Sequence, residues 1–412
     1  RIGASIRFLN LSDEVATADF EQVLARIKSE VEATSPALVV VDSFRALMME
    51  AHQQPTMAGD LQNFTGQLGV QLSAWQATTF LIGEYLSETE NHPIFTIADG
   101  LLALKQSVHR NSIVRNIQVL KMRGQATSPG VHTFRITGNG IEVFPSALIA
   151  DDSSAPAARR TVPPRGQRLT MGVPHLDAML GGGLPAGYSL LVAGPSGSGK
   201  TILATAFLSE GVRLGEPGVM VAFEQTPSQS MSPTIDNMAR AGQIGLINTR
   251  SADLSIDEIV HQLITLIHRM KATRVVIDSL SGFELAVAPT FREDFRESLF
   301  RMVAALSGLG VTVLMTSELE DRYTDLRFSP YGSAFLTDAI VVQRYVEIDS
   351  HLRRVLAVVK LRGSSHSSEL RQYGIVDGAI AIGDPVPDIQ GLLGGRPQRT
   401  PDNGSAPHLD TA

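Results

Sequence analysis

Several segments of the chain occur twice, in the same order and at nearly constant spacing. VVVDSF in the first half resembles VVIDSL in the second, and their aspartates, Asp42 and Asp278, are 236 positions apart. VLKMRG (Val119–Gly124) resembles VVKLRG (Val358–Gly363), 239 positions later. TTFLIGEY and ADGLLALKQ, which lie between them, have counterparts in VTVLMTSE and TDAIVVQRY. We therefore interpret the chain as two copies of one unit of about 235–240 residues.

The two copies are of unequal length. The second is complete and is predicted to span residues 167–383, whereas the first, residues 1–149, lacks the equivalent of Leu169–Gly242. A domain without that stretch has an incomplete sheet, so we interpret the sequence as an N-terminally truncated fragment. Residues 150–166, rich in Ala, Pro, Ser and Arg, are predicted to be a linker. Residues 384–412, rich in Pro and Gly, are predicted to be a disordered tail.

Short apolar runs alternate with amphipathic segments in the second copy. YSLLVA, GVMVAF, TRVVID and VTVLMT are typical of buried strands, and between two of them Ile256, Ile259, Val260, Leu263 and Ile267 recur at helical spacing. Alternation of this kind is typical of a parallel sheet with helices on both faces. We predict an α/β fold with mostly parallel central sheets.

The composition narrows the class of function. The formal net charge is −7, which disfavours bulk attraction to nucleic acid or to anionic membranes. Without cysteine the chain has neither disulfides nor thiolate metal ligands. No apolar run approaches the roughly 18 residues that a membrane span needs. These features predict a cytoplasmic protein.

The segment GPSGSGKT fits the pattern of a phosphate-binding loop between a strand and a helix. Glycines let backbone N–H groups turn inward around phosphates, the lysine neutralises β- and γ-phosphate oxygens, and the threonine hydroxyl binds Mg²⁺. A flexible Gly/Ser turn is the alternative, and the flanking strand and helix patterns argue against it. The predicted nucleotide-binding residues are Gly194, Pro195, Ser196, Gly197, Ser198, Gly199, Lys200 and Thr201.

Carboxylates end two of the other predicted strands. Asp278 follows VVI, where it is either a helix cap or a residue that holds Mg²⁺ through water. Glu224 follows VMVAF, where it is either a surface residue or the base that orients and deprotonates water. The end of a further strand, Thr316–Glu318, is a candidate sensor of the γ-phosphate.

Two cations alternate in KLRGSSH. Lys360 and Arg362 are predicted to lie on one face of an edge strand, because strand side chains alternate between faces. Such a pair is commonly solvated, but it could instead reach the nucleotide of a neighbouring subunit.

The ordered set of motifs closely resembles the KaiC-like circadian clock ATPases of the RecA superfamily. LDAMLGGGLPAGYSLLVAGPSGSGKT is followed by VAFEQTP, RVVIDSL and KLRGSSH, and the resemblance extends from residue 1 to about residue 383. It implies two RecA-like domains, the first incomplete here. It also implies ATP and Mg²⁺ as cofactors, and hexameric rings of this chain with nucleotide between subunits. Signalling or clock-type protein partners are further expectations, whereas nucleic acid and membrane are not.

The resemblance also assigns roles. Lys200, Thr201 and Asp278 become phosphate and Mg²⁺ residues, and Glu224 becomes the catalytic carboxylate. Lys360 and Arg362 become contacts to the neighbour's nucleotide, as do Lys121 and Arg123 in the first copy. The family usually has two adjacent glutamates, whereas the second position here is Gln225.

The leading hypothesis is an oligomeric ATPase with a signalling or timing role. Alternatives are a DNA-acting RecA-like ATPase, a non-hydrolysing scaffold, and a serine/threonine autokinase with a shifted acceptor. The family's Ser–Thr acceptor pair falls at about Ala334 and Phe335, which have no hydroxyl, while Ser333 and Thr337 flank them. We therefore predict an ATPase with little or no autokinase activity.

Overall fold

The chain divides into two compact units in the computed structural model. One comprises Arg1–Ala103 and Val119–Ser128, and the other comprises Leu104–Gln118 and Pro129–Ala412. The structure describes residues 5–11, 20–43, 66–71, 74–75, 77–84, 93–109, 112–145, 166–223, 232–249, 255–287, 295–319, 336–348, 350–386, 389–390 and 398–399. The predicted linker lies outside these residues except for Gly166.

The first unit contains a small parallel sheet, and helical segments, among them residues 66–71 with the buried Leu68, pack on one of its faces. Strands β1 (Leu38–Asp42) and β2 (Thr78–Ile82) pair in parallel, and α1 (Phe20–Thr34) packs on one of their faces. Strand alternation directs the other side chains outward, and these are exposed: Leu38, Val40, Phe80 and Ile82. A second helix, α2 (Pro93–Ile97), leads into the long hairpin of β3 (Gly100–His109) and β4 (Ser112–Met122).

The hairpin of β5 (His132–Thr137) and β6 (Gly140–Phe144) completes a four-stranded antiparallel sheet in the order β3-β4-β5-β6. This hairpin belongs to the first sequence copy but to the second compact unit. In that unit Arg135 forms an ion pair with Glu258 at 3.0 Å. Thr133 and Ser255 share a hydrogen bond of 2.8 Å between their hydroxyls. The division of the chain by packing therefore differs from its division by repeat at this hairpin and at Leu104–Gln118.

A nine-stranded sheet forms the centre of the second unit. Its order is β11-β10-β12-β13-β9-β14-β15-β16-β17, parallel from β11 to β14 and antiparallel beyond. The strands are β9 (Ser189–Gly194), β10 (Gly218–Phe223), β11 (Ile244–Thr249), β12 (Arg274–Asp278), β13 (Thr312–Glu318), β14 (Ala339–Ile348), β15 (His351–Leu361), β16 (Arg371–Val376) and β17 (Ala379–Pro385). Two short ladders lie outside it, β7 (Arg168–Leu169) with β8 (Leu184–Pro185) and β18 (Ile389–Gln390) with β19 (Gln398–Arg399).

Helices cover both faces of this sheet, and the predicted α/β class with a mostly parallel sheet is confirmed. On one face lie α3 (Pro174–Met179), α4 (Lys200–Arg213) and α5 (Pro233–Arg240). On the other lie α6 (Ile256–Met270), α7 (Leu280–Ala286) and α8 (Phe295–Gly308). Each fully buried aliphatic or aromatic side chain of the two layers contributes about 1.5–3 kcal/mol.

Local signals set the ends of α6. Ser255 is its N-cap and accepts a hydrogen bond from the Glu258 N–H at 3.0 Å, a device that stabilises a helix by about 1 kcal/mol. The helix ends where Lys271 adopts the left-handed conformation. β12 begins three residues later and carries Asp278 at its carboxyl end, so this helix positions a strand of the site.

Candidate nucleotide-binding site

The predicted phosphate loop connects β9 to α4. Gly197 and Gly199 have φ of 74° and 98°, a region that glycine adopts without steric cost. Gly199 is the N-cap of α4, which begins at Lys200. The first N–H groups of that helix have no intrahelical acceptor, so the loop and the helix end together present backbone donors to an anion.

The Lys200 amine lies over this loop. Nζ donates hydrogen bonds to the Gly194 carbonyl at 2.8 Å and to the Pro195 carbonyl at 2.7 Å. Burial lowers the pKa of Lys200, and the negative charges of Glu318 and Asp278 partly oppose that shift. A partly buried cation held beside inward-turning N–H groups is suited to phosphate oxygens.

The Asp278 carboxylate, at the end of β12, accepts hydrogen bonds from side chains of two other elements. The Thr201 hydroxyl, in the first turn of α4, donates to Asp278 Oδ2 at 2.7 Å. The Thr316 hydroxyl, near the end of β13, donates to Oδ1 at 2.5 Å. Because β12, β13 and β9 are adjacent parallel strands, their carboxyl ends bring these three side chains together at one edge of the sheet.

The oxygen atoms at this edge fit a magnesium ion. Mg²⁺ prefers a few protein oxygens supplemented by phosphate and water, rather than a cage built from protein alone. The described residues contain no group of three His, Cys, Asp or Glu side chains placed to hold a metal. A hydroxyl and a carboxylate beside a phosphate loop therefore suit a nucleotide-bound Mg²⁺, and Thr201 and Asp278 would hold it.

Lys360 and Arg362 lie at the opposite end of the parallel strands. β14 pairs in parallel with β9, Ala339 beside Leu190, and Lys360 faces Ile340 at the start of β14. Ile340 is level with Leu191, and Asp338, the partner of Arg362, contacts Ser189 at the amino end of β9. The phosphate loop begins at Gly194, three to five residues or roughly 10–16 Å further along the strand. The two cations are thus directed away from the phosphate loop of their own chain.

Backbone and carboxylate oxygens hold both cations in place. Lys360 Nζ donates to the Thr337 carbonyl at 2.5 Å, and Arg362 pairs with Asp338 at 3.4 Å. Burial and then the charge of Arg362 lower the pKa of Lys360. Asp338 also accepts from the Ser189 N–H at 3.0 Å, which anchors the cluster to β9.

The first copy repeats this cluster. Lys121 Nζ donates to the carbonyls of Phe95 and Thr96, both at 3.1 Å. Arg123 pairs with Asp99 at 3.1 Å, and its backbone N–H donates to the Asp99 carbonyl at 2.8 Å. The Arg362 N–H donates to the Asp338 carbonyl at the same distance, so the internal repeat extends to side-chain geometry.

Some predicted residues fall outside the described part of the chain. They are Glu224, Gln225, Ser333, Ala334 and Phe335. Glu224 directly follows Phe223, the last residue of β10 in the chain. Its catalytic role therefore stays a prediction.

Comparison with known proteins identifies the family. The family model of the KaiC ATPase matches residues 3–147 and 169–386. The chain belongs to the KaiC ATPase family. Both matched segments carry the lysine–arginine cluster, and the second also carries the phosphate loop. Among the described residues of this KaiC-family chain, every helix is too short or too polar to cross a membrane.

Curated relatives are similar over most of their length. The circadian clock oscillator protein KaiC of a Picosynechococcus species is 26% identical over 391 residues, covering 93% of this chain and 73% of the relative. The circadian clock oscillator protein KaiC 1 of a Synechocystis species is 27% identical, with coverage of 93% and 73%. The circadian clock protein KaiC3 of a Synechocystis species is 25% identical, with coverage of 93% and 75%.

Sequence reasoning missed the residues behind the phosphate loop. The Ser198 hydroxyl donates to Gln343, 145 positions away, and Tyr373 donates to the Ser198 carbonyl across 175 positions. Gln343 belongs to β14, within the repeated segment TDAIVVQRY, and Tyr373 belongs to β16; neither segment has a known nucleotide-binding pattern. No local signal marks them, because only the order of strands in the sheet brings them to the loop.

Proposed function

We propose that this KaiC-family protein binds and hydrolyses Mg²⁺–ATP at the loop Gly194–Thr201. The observation that carries the proposal is the 2.7 Å contact between Thr201 and Asp278 directly beside the loop. Phosphate transfer to water needs a phosphate cradle, a fixed cation and a metal held at the β- and γ-phosphates. Here the loop N–H groups would form the phosphate cradle, Lys200 would be the fixed cation, and Thr201 with Asp278 would hold the metal.

Hydrolysis further requires a base for the attacking water. We assign this role to Glu224, which follows β10 in the chain, and β10 pairs with the strand that carries Asp278. A carboxylate within reach of the water would accept its proton as the water attacks the γ-phosphorus, while the bond to the β–γ bridging oxygen breaks and ADP leaves with that oxygen. A base of this kind contributes typically 10²–10⁴-fold. Mg²⁺, when bound, neutralises charge on the phosphate oxygens.

Lys360 and Arg362 would complete the site of another subunit. Their contacts with Thr337 and Asp338, just before β14 and roughly 10–16 Å along the strands from their own loop, support contact with a nucleotide bound by a neighbour. A head-to-tail interface of this kind produces a ring when the rotation between neighbours closes, and an open filament when it does not. We therefore propose a ring of identical subunits, hexameric in line with the family resemblance, with ATP at each interface and a signalling or timing role similar to that of the clock relatives.

Asp278→Asn tests the metal assignment. We expect ATP hydrolysis to fall by at least about 10²-fold, because the neutral amide no longer attracts the cation, and the Mg²⁺ concentration for half-maximal activity to rise. Turnover is measured across a Mg²⁺ titration. Asp377→Asn, in the exposed turn between β16 and β17, is the matched control. An unchanged Mg²⁺ titration of Asp278→Asn would contradict the assignment.

Water, rather than a side chain, is the expected acceptor of the phosphoryl group. Of the two hydroxyls near the family's acceptor position, Thr337 is fully buried, and its Oγ1 has no hydrogen-bond partner among the described residues. In-line transfer requires an acceptor held close to the γ-phosphate. Incubation with γ-labelled ATP and phosphopeptide mapping should therefore show no stoichiometric label. Label on Ser333 or Thr337 that disappears in Lys200→Ala would demonstrate an autokinase.

A further inference from the structure

A buried polar network lies behind the phosphate loop. The Ser198 hydroxyl donates to Gln343 Oε1 at 3.0 Å, and the Tyr373 phenol donates to the Ser198 carbonyl at 2.6 Å. Ser198 and Gln343 are completely buried, and Tyr373 is 4% exposed. Burial raises the pKa of the Tyr373 phenol, so it remains a hydrogen-bond donor at all physiological pH values. The middle of the loop is thus held from behind at two atoms of one residue.

The Gln343 amide carries an unpaired polar atom. Within the described part of the chain, Nε2 is buried and no acceptor lies within hydrogen-bond reach. A buried polar group without a partner costs stability, and such groups in native structures call for a functional explanation. A methionine would fill the same space without that cost.

Three loop glycines pack closely against the same strands. A Cβ on Gly194 would lie 2.8 Å from the Gln343 carbonyl oxygen. On Gly197 it would lie 3.2 Å from the Tyr345 hydroxyl, and on Gly199 it would lie 3.2 Å from Ile375 Cδ1. The loop therefore follows a surface provided by β14 and β16, and its curvature depends on residues far outside the motif.

We propose that Gln343 and Tyr373 are positioning residues that hold the phosphate loop in its phosphate-accepting shape and so set the affinity for ATP. This inference rests on the proposed function, since it concerns the same nucleotide site. A preorganised loop loses little conformational freedom when it binds phosphate. If the loop also samples other shapes, the apparent Kd for ATP rises, because only the fraction of molecules with the loop in its phosphate-accepting shape can bind. Neither residue touches the nucleotide; both act through Ser198.

The test uses Gln343→Met and Tyr373→Phe in the full chain. Each removes one hydrogen bond to the loop, so we expect the Kd for Mg²⁺–ATP, measured by calorimetry, to rise roughly 3–10-fold. The Tm of nucleotide-free Gln343→Met should stay within about 2 °C of wild type, because removal of the unpaired amide nitrogen offsets the loss of the acceptor of the Ser198 hydroxyl. Gln372→Met, at the residue before Tyr373, and Tyr188→Phe, at the residue before β9, serve as matched controls. Both residues lie outside the network, so these variants should leave the Kd unchanged.

Combination with Ser198→Ala tests the connectivity. Gln343 and the Ser198 hydroxyl share one hydrogen bond, so the double variant should bind ATP no more weakly than the weaker single variant. Tyr373 contacts the Ser198 main chain, which remains in Ser198→Ala, so those two effects should multiply.

The outcomes separate the inference from the function on which it rests. If wild type binds Mg²⁺–ATP and the Kd values of Gln343→Met and Tyr373→Phe are unchanged, the positioning role is wrong and the proposed function stands. A fall in Tm of Gln343→Met that parallels its loss of affinity would indicate a merely structural role and would also overturn the inference. If wild type itself does not bind Mg²⁺–ATP, both proposals fail.

Discussion

Lys200→Ala is expected to abolish ATP binding, whereas Glu224→Gln is expected to retain binding and to slow hydrolysis by roughly 10²–10⁴-fold. The lysine provides the cation that contacts the loop carbonyls at 2.7 and 2.8 Å, and alanine leaves the phosphate charge uncompensated. Glutamine keeps the size of Glu224 but cannot accept a proton. Calorimetric titration with ATP measures the first effect, and ADP release followed over hours measures the second.

Matched changes elsewhere control for loss of charge alone. Lys28→Ala, at a half-buried position of α1 where the lysine pairs with Glu32, and Glu347→Gln, at an exposed position of β14, should leave binding and turnover unchanged. If Glu224→Gln hydrolyses ATP at the wild-type rate, Glu224 has no part in the mechanism. If Lys200→Ala binds ATP with wild-type affinity, the nucleotide site lies elsewhere.

The combined change Lys360→Ala and Arg362→Ala is expected to lower ATPase activity strongly while its own phosphate loop remains intact. Mixing this double variant with Lys200→Ala should restore part of the activity. Some interfaces will form between a double-variant subunit, which has an intact loop, and a Lys200→Ala subunit, which has intact cations. Such an interface contains both parts of a functional site. Random mixing of equal amounts makes about a quarter of the interfaces complete, so activity should be maximal at the equimolar ratio.

A triple variant provides the control for this mixing experiment. A chain with Lys200→Ala, Lys360→Ala and Arg362→Ala has neither half of a site and should restore no activity to either parent. Co-assembly is verified by pull-down of differently tagged chains. If co-assembled mixtures of the two parents stay inactive, the cations do not act on a neighbour's nucleotide.

Duplication of the lysine–arginine cluster supports reading it as a unit. In both copies the arginine pairs with the aspartate that precedes the neighbouring strand, and the lysine donates to carbonyls just before it. Two copies of one unit are expected to share this arginine–aspartate geometry 239 positions apart. We propose that the cluster has the same task at the same edge of each copy.

The phosphate loop and the class of the fold could both be predicted from the sequence. The phosphate loop is eight consecutive residues, and two of its glycines, Gly197 and Gly199, adopt left-handed backbone. Its motif can therefore be recognised without any distant partner. The alternation of apolar strands and amphipathic helices likewise reports burial directly, and it predicted the parallel sheet with helices on both faces. The repeat became visible because whole motifs recur in order.

The contacts between residues far apart in the sequence could be seen only in the tertiary structure. The strand order placed Thr316 beside Asp278 and directed Lys360 and Arg362 away from their own loop. It also brought Gln343 and Tyr373 behind Ser198, and packed the hairpin β5–β6 on α6 through Arg135 and Glu258. Strand order and register follow from burying entire faces of a sheet at once. That cooperative requirement leaves no mark on any short stretch of sequence.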